Sequence, residues 1–220
     1  MLLTIATNPL NSGFRQYTPS ELPQSFDRVV QSWDTANKAS ELSDFSVCTT
    51  WGIRGKNLYL LHVMRRRMEY PELKRSVREQ AQAFTASVVL IEDEASGTQL
   101  IQELIEQGLH AVTRYQPQAD KIMRMHAQTA IIENGFVYLP KEAGWLAEYL
   151  HELTVFPEGK HDDQVDSTAQ LLDWFKRAGQ EPQDWMWIQY KRAQAGGPQP
   201  TRPEPLSVMA KRLGILRPLY

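Results

Sequence analysis

The sequence predicts an α/β fold: a mixed sheet whose first three strands are antiparallel and whose later strands are parallel, flanked by helices. Three observations predict it. β-like runs open the ordered part of the chain, a hairpin signal joins two of them, and short apolar strands then alternate with amphipathic helices. At 220 residues the chain has room for one well-buried domain and an appendage, not for two full enzyme domains.

The elements follow in order. Residues 1–27 carry proline and polar signals, including Asn8-Pro9, Thr18-Pro19 and Leu22-Pro23, and read as a lead-in. Residues 28–35, 45–53 and 58–64 are the first three strands. Gly55-Lys56-Asn57 between the last two is a hairpin turn, so that pair is antiparallel. Pro71 opens a helix to about Phe84, since proline's missing N–H is harmless in a first helical turn. Ser87 to Ile91 is a continuous apolar run, as a strand buried on both faces requires, and is placed beside the first strand. A helix over 97–107 has Leu100, Ile101, Leu104 and Ile105 on one side and stops at Gly108. A short strand over 110–115, a helix over 121–133 and a small edge strand over 136–139 come next. Helices over 142–153 and 161–177 complete the domain, which spans 28–178.

From Gly179 the composition shifts. Trp185 and Trp187 precede Gly196-Gly197-Pro198, Pro200, Pro203 and Pro205. Residues 179–220 read as a tail, partly ordered at most, with a short basic helix over 208–213. There is no internal repeat.

Composition excludes several functions. A net charge of −2 rules out a general polycation, so any nucleic-acid contact rests on a local basic surface. The single cysteine, Cys48, allows no internal disulfide, sits in an apolar strand and reads as core; a reducing cytoplasm suits it. No apolar run approaches the ~20 residues of a membrane span, and Met1 to Leu10 lacks the basic start of a signal peptide. The five histidines lack zinc-type spacing, and no serine sits in a nucleophile-elbow pattern. Trp145, Trp174, Trp185 and Trp187 read as core or tail packing residues rather than base-stacking platforms.

Three acidic features carry the chemistry. Asp34 lies in a strand, where aspartate is poorly suited; the plain alternative is a turn cap. Glu92-Asp93-Glu94 follows the apolar strand directly, at the carboxyl end where α/β proteins gather reactive groups; the alternative is a solvated loop. His161-Asp162-Asp163-Gln164-Val165-Asp166-Ser167 opens a helix. There 163/166 and 162/166 share a face at i,i+3 and i,i+4 spacing. Interaction with the helix dipole explains one or two of these acids, but Asp166 less well. Magnesium and manganese take carboxylate oxygens. Two such ions about 4 Å apart hold the attacking water and the leaving oxygen of a phosphodiester.

The combination of Ser32-Trp33-Asp34-Thr35-Ala36, the run Val88 to Gly97 and the run His161 to Ser167, in this order, resembles the ribonuclease H-like nuclease domain of phage terminase large subunits. Tyr70 to Lys74, Lys121 to Ala127 and Phe156-Pro157 add to the resemblance, which covers roughly 28–178. It implies a ribonuclease H-like mixed sheet, two Mg2+ or Mn2+ ions, and an endonuclease that cuts concatemeric viral DNA during genome packaging. Asp34, Glu92 and Asp163 match the catalytic metal-binding acids. Asp162 and Asp166 are further metal candidates, because family members differ in which helix acids bind. The implied partners are double-stranded DNA, an ATPase motor domain, a small terminase subunit and a portal protein, in the cytoplasm of a bacterial host. One departure matters: the sequence contains no Gly-x-x-x-x-Gly-Lys-Ser/Thr loop for a motor.

Arg65, Arg66, Arg67, Lys74 and Arg75, with Arg78 beyond, form the densest basic stretch and are candidates for DNA-backbone contact. The alternative is a solvated face with ion pairs to Glu69, Glu72 and Glu79. Lys121, Arg124 and His126 are candidates nearer the acids. Two other functions stay open: a catalytically silent module that docks DNA or a portal, and a junction-resolving or RNA–DNA hybrid nuclease of the same fold.

Overall fold

The computed structural model describes residues 13–35, 45–94 and 96–178. The tail from Gly179, with Trp185, Trp187 and the expected basic helix, lies outside the described residues, as does the start of the lead-in. Seven strands and five helices are defined among them. The strands are β1 (Arg15–Tyr17), β2 (Arg28–Asp34), β3 (Ser46–Arg54), β4 (Asn57–Arg66), β5 (Val88–Glu92), β6 (Val112–Tyr115) and β7 (Val137–Pro140). The helices are α1 (Tyr70–Ala83), α2 (Ser96–Glu106), α3 (Lys121–Glu133), α4 (Leu146–Val155) and α5 (Asp163–Ala178).

The strands form one mixed sheet in the order β1-β7-β4-β3-β2-β5-β6. β3 is antiparallel to both its neighbours, and every other adjacent pair is parallel. The hairpin is tight: Arg54 pairs with Asn57, and Gly55 turns with φ +57°, a value that favours glycine. Asp27 anchors this turn, its carboxylate accepting from Gly55 N at 2.8 Å and from Arg54 Nη1 at 2.7 Å.

Three expectations are corrected. Part of the lead-in, Arg15–Tyr17, is a strand of the sheet and pairs with β7. Its signal was too short to read, because three residues complete no recognisable pattern. It follows that β7 is not an edge strand: β1 covers one side of it and β4 the other. The helix expected from Glu142 begins only at Leu146, past Gly144.

Strand alternation sorts the side chains onto two faces. On β2, Val30 joins the core beneath α3, α4 and α5, whereas Trp33 joins the core beneath α1 and α2. On β5, Val88 and Leu90 point to the first core, Val89 and Ile91 to the second. The same two-residue period carries Asp34 and Glu92 to the α5 face. β2 and β5 are parallel neighbours with Trp33 opposite Ile91, so the next residues, Asp34 and Glu92, leave adjacent strands at their carboxyl ends.

α2 begins hard against this end of β5. A Cβ on Gly97 would collide with the Glu92 carbonyl oxygen, so only glycine lets the helix start there. Gly97→Ala is expected to push the helix off β5 and lower unfolding stability by about 1–3 kcal/mol, as overpacking does. A denaturant titration beside the parent chain measures it; an unchanged midpoint would mean the helix start yields freely.

Candidate active site

Four chain segments meet at one end of the sheet, and each brings a carboxylate: β2, β5, the start of α3 and α5. A cleft of about 400 Å³ is lined by Asp34 and Thr35 after β2, Glu92 and Glu94 after β5, Pro117, Ala119 and Asp120 before α3, Lys121 and Arg124 on α3, and Asp166 on α5. Asp162 and Asp163 lie beside it at the start of α5.

The seating of α5 is polar, which fixes its register. Ser167 Oγ donates to the Ser32 carbonyl at 2.8 Å, shares a 2.7 Å hydrogen bond with Thr49 Oγ1 and accepts from Thr49 N at 3.3 Å. Gln170 Nε2 donates to the Trp33 carbonyl at 3.4 Å, and Tyr149 OH shares a 2.9 Å hydrogen bond with Thr168. The α5 residues Gln164, Ser167, Thr168 and Gln170 are all buried. A wholly apolar face could slide along the sheet; these directional bonds hold Asp166 on the same cleft as Asp34.

The electrostatics follow from this crowding. Burial raises the Asp34 carboxyl well above its usual value, and the negative charges of Asp166, Asp163, Glu92 and Asp162 raise it further. Burial likewise raises Glu92 and Asp166, with Arg124 opposing at Glu92 and Lys121 and Arg124 opposing at Asp166. Asp163 is raised to about 6 by burial and by repulsion from Glu152, against the pull of Arg65.

The basic residues divide into two groups. Lys121 pairs closely with Asp162 and reaches Asp166 at 3.5 Å; Arg124 stands 3.4 Å from Asp166 and 3.6 Å from Glu92. These two are the internal counter-ions of the acids. Arg124 is 9% exposed and lines the cleft, while its Nε and Nη1 are buried, Nη1 on the side of Glu92. Farther off, Arg66 pairs with Glu72, Lys74 with Glu103 and Arg75 with Glu79. Arg67 lies over the Phe45 ring at 4.1 Å. Arg65 is largely buried, stacks on the same ring at 3.7 Å and pairs with Glu148, Glu152 and Asp163. His126 is exposed on α3. His161 meets Phe45 edge-on and brings Nδ1 to 4.0 Å from Asp163.

The structure thus gathers Asp34, Glu92 and Asp166 around the cleft and sets Asp163 beside it, facing Arg65 and His161. Among the described residues, no three His, Cys, Asp or Glu side chains form a ready-made metal cage. Lys121 and Arg124 balance the acids' charge instead. The donor set nevertheless fits a hard divalent cation: every acid supplies oxygen, and Asp163 Oδ2 is buried with no hydrogen-bond partner. Sequence reading did not single out Asp120 or Thr35. Asp120 carried a signal in its place just before a helix: its side chain caps α3 by accepting from Met123 N at 2.9 Å.

A mixed sheet with β3 alone reversed, acids at adjacent strand ends and an acid-bearing helix across the sheet define an α/β domain of the ribonuclease H-like class. Residues 31–173 match the family model described as the terminase RNaseH-like domain, and the chain belongs to that family. No curated protein sequence matches it. Among solved structures it is similar to the large terminase nuclease of thermophilic phage G20c with bound zinc, at 18% identity and TM-score 0.55, covering 74% of this chain and 96% of that one. The form of that nuclease with bound magnesium gives 16% identity and TM-score 0.56, covering 76% and 98%. The large terminase of another thermophilic bacteriophage, in complex with ADP, gives 10% identity and TM-score 0.56, covering 72% of this chain. The chain matches only 42% of the length of that large terminase. Among the described residues no helix is long and apolar enough to cross a membrane.

The raised carboxyls fix the sign of a pH effect. Below about pH 3 each acid is largely protonated in both states. As pH rises from 3.8 toward 6, the folded chain still holds the Asp163 proton that the unfolded chain has released, so stability falls across that window. Asp34, whose carboxyl is likewise raised by burial and by its acidic neighbours, adds to the loss. The metal-free protein is therefore expected to melt lower at about pH 7.5 than at about pH 5, and Asp34→Asn to recover part of the difference. Thermal melts in chelator at both pH values measure this; a midpoint that rose with pH, with no gain from the substitution, would contradict the crowding described here.

Proposed function

We propose that this chain is an endonuclease that hydrolyses phosphodiesters of double-stranded DNA with divalent metal ions, and that it serves the cutting of concatemeric viral DNA during genome packaging. The observation that carries the reading is the cleft itself: acids from β2, β5 and α5 meet at one end of the sheet, crowded enough to raise their carboxyls. Asp34, Glu92, Asp163 and Asp166 would hold two Mg2+ or Mn2+ ions, with Asp162 at the margin. Asp34, Glu92 and Asp163 are the catalytic set, and the position of Asp166 in the cleft gives it an equal claim. When bound, such ions supply a nucleophilic water at neutral pH and stabilise the leaving oxygen. The similar G20c nuclease, solved with zinc, cobalt and magnesium, supports a divalent site of this kind.

The chain's own residues bind and orient. Arg124, which lines the cleft, and Lys121 beside it are suited to phosphate oxygens once their carboxylate partners are otherwise neutralised. Backbone contact of this sort is independent of sequence and weakens with salt. Arg66, Lys74 and Arg75 are less suited to it, since they do not line the cleft and pair with Glu72, Glu103 and Glu79 instead. Arg65 is turned inward. An ATPase motor domain, a small terminase subunit and a portal protein are the proposed partners, and the bacterial host cytoplasm the proposed setting. The likeness to the large terminase solved with ADP supports a motor partner.

Plasmid nicking with Mn2+ tests the reading. Asp34→Asn, Glu92→Gln and Asp166→Asn are each expected to lower the rate at least about a hundredfold, and Asp163→Asn to do the same, while duplex affinity in Ca2+ stays within about threefold. Wild-type rates in all four would end the metal-nuclease proposal. Faster cutting of a four-way junction or an RNA–DNA hybrid than of linear duplex would keep the chemistry and replace the substrate. In a second measurement, Lys121→Ala with Arg124→Ala should flatten the salt dependence of duplex affinity in Ca2+; charge reversal at Arg66 and Arg75 should leave it nearly unchanged.

A further inference from the structure

Asp163 and Asp166 can serve the cleft only if the first turn of α5 is held still, and the residue next to that turn is not free to hold it. A helix N-terminus leaves backbone N–H groups without partners, and the residue just before the helix usually caps them. Here that residue is Asp162, whose side chain is engaged with Lys121. The acceptor comes from another helix. Glu152, on α4, is 5% exposed. Its Oε1 accepts from the backbone N–H of Gln164 at 2.6 Å and of Val165 at 3.4 Å; its Oε2 accepts from Gln164 Nε2 at 2.6 Å. On its far side Arg65 Nε stands 3.9 Å away, and the same guanidinium reaches Asp163 Oδ2 at 3.8 Å.

We infer that Glu152 is a positioning residue: its buried carboxylate caps α5 from outside and, with Arg65, sets where Asp163 and Asp166 stand at the cleft. The inference rests on the metal-dependent reading above. Three features of the geometry argue for it. A carboxylate with two oxygens is the side chain that accepts from three donors and keeps capacity for a cation. A buried carboxylate is costly unless it is fully hydrogen-bonded, and this one is spent on the turn that bears the acids rather than on its own helix. Capping from α4 also leaves Asp162 to pair with Lys121 and Asp166 to face the cleft. Glu152 is not part of the cleft lining, so it acts through α5.

The test compares wild type, Glu152→Gln, Glu152→Asp and Glu148→Gln in the full chain. In Glu152→Gln an amide nitrogen replaces one oxygen and leaves a donor facing a donor. Glu152→Asp keeps the charge but withdraws it by one methylene. Glu148 also pairs with Arg65, and its side chain is 61% exposed, so Glu148→Gln controls for charge alone. Mn2+ affinity is read by the free-ion electron paramagnetic resonance signal, the α5 turn by amide hydrogen exchange at Gln164 and Val165, and nicking as separate kcat and KM. Expected for both Glu152 variants are Mn2+ binding weaker by about tenfold or more, as for lost support of a metal-ligand residue, faster exchange at both amides, and a fall in kcat with KM for DNA retained. Glu148→Gln should bind Mn2+ as wild type does.

Wild-type Mn2+ affinity in Glu152→Gln overturns the inference, even if the melting point falls, because the residue would then be structural only. So does equal weakening by Glu148→Gln, which would assign the effect to Arg65's charge balance. If wild type binds no Mn2+, the metal reading fails on its own, and amide exchange decides the clamp: faster at Gln164 and Val165 in Glu152→Gln supports it, unchanged exchange overturns it. If Glu152→Gln does not fold, Gln164→Met, which removes one of the three donors, is judged by the same readouts.

Discussion

Asp34, Glu92, Asp163 and Asp166 are held together half-buried, and burial and repulsion from neighbouring acids raise their affinity for a proton. Like charges at close range repel, and partial burial deepens the repulsion by removing the solvent that would screen it. The rest of this end of the molecule answers that constraint. α3 brings Lys121 and Arg124 between the acids; β4 brings Arg65 against Asp163 from the other side. Both groups of cations belong to the fold, so the acids are gathered by the chain's own charges, though not into a cage among the described residues.

Such a site needs a rigid frame, because a helix carrying repelled charges would otherwise lift away. The frame is polar. Ser167 and Gln170 bond to backbone carbonyls of β2, Thr49 bonds to Ser167, and Glu152 closes the end of the helix. Apolar contacts through Val165, Ala169, Leu171 and Leu172 supply most of the burial, but they do not specify register. Directional bonds do, and a one-residue rotation of α5 would break all of them together.

The basic residues illustrate how one residue type serves opposite ends. Arg65, Arg66 and Arg67 are consecutive in sequence, yet Arg66 pairs outward with Glu72 while Arg65 turns inward beneath Phe45 to meet α4 and α5. Strand alternation separates Arg65 from Arg66 in this way. A run of arginines therefore reads as a basic patch in sequence and divides into a structural ion pair and a surface charge in space.

The sequence by itself determined the mixed sheet, the hairpin at Gly55, the pairing of β5 beside β2 and the placing of acids at strand ends and a helix start. These are local: turn chemistry, two-residue and 3.6-residue periods and short acidic runs lie within a few residues of one another. That Asp34 and Glu92 share a face, with Val30 and Val88, was set by the register of the folded sheet, Trp33 opposite Ile91. What the sequence left out is what depends on distant contact. β1 is three residues long and acquires meaning only beside β7. The choice between Asp163 and Asp166 for the cleft depends on how Ser167 seats against Ser32, 135 residues away in sequence. The roles of Arg65, Lys121, Arg124 and Glu152 were set only when distant elements met, because a charged side chain takes its function from the charge it faces, and in a folded chain that partner comes from elsewhere.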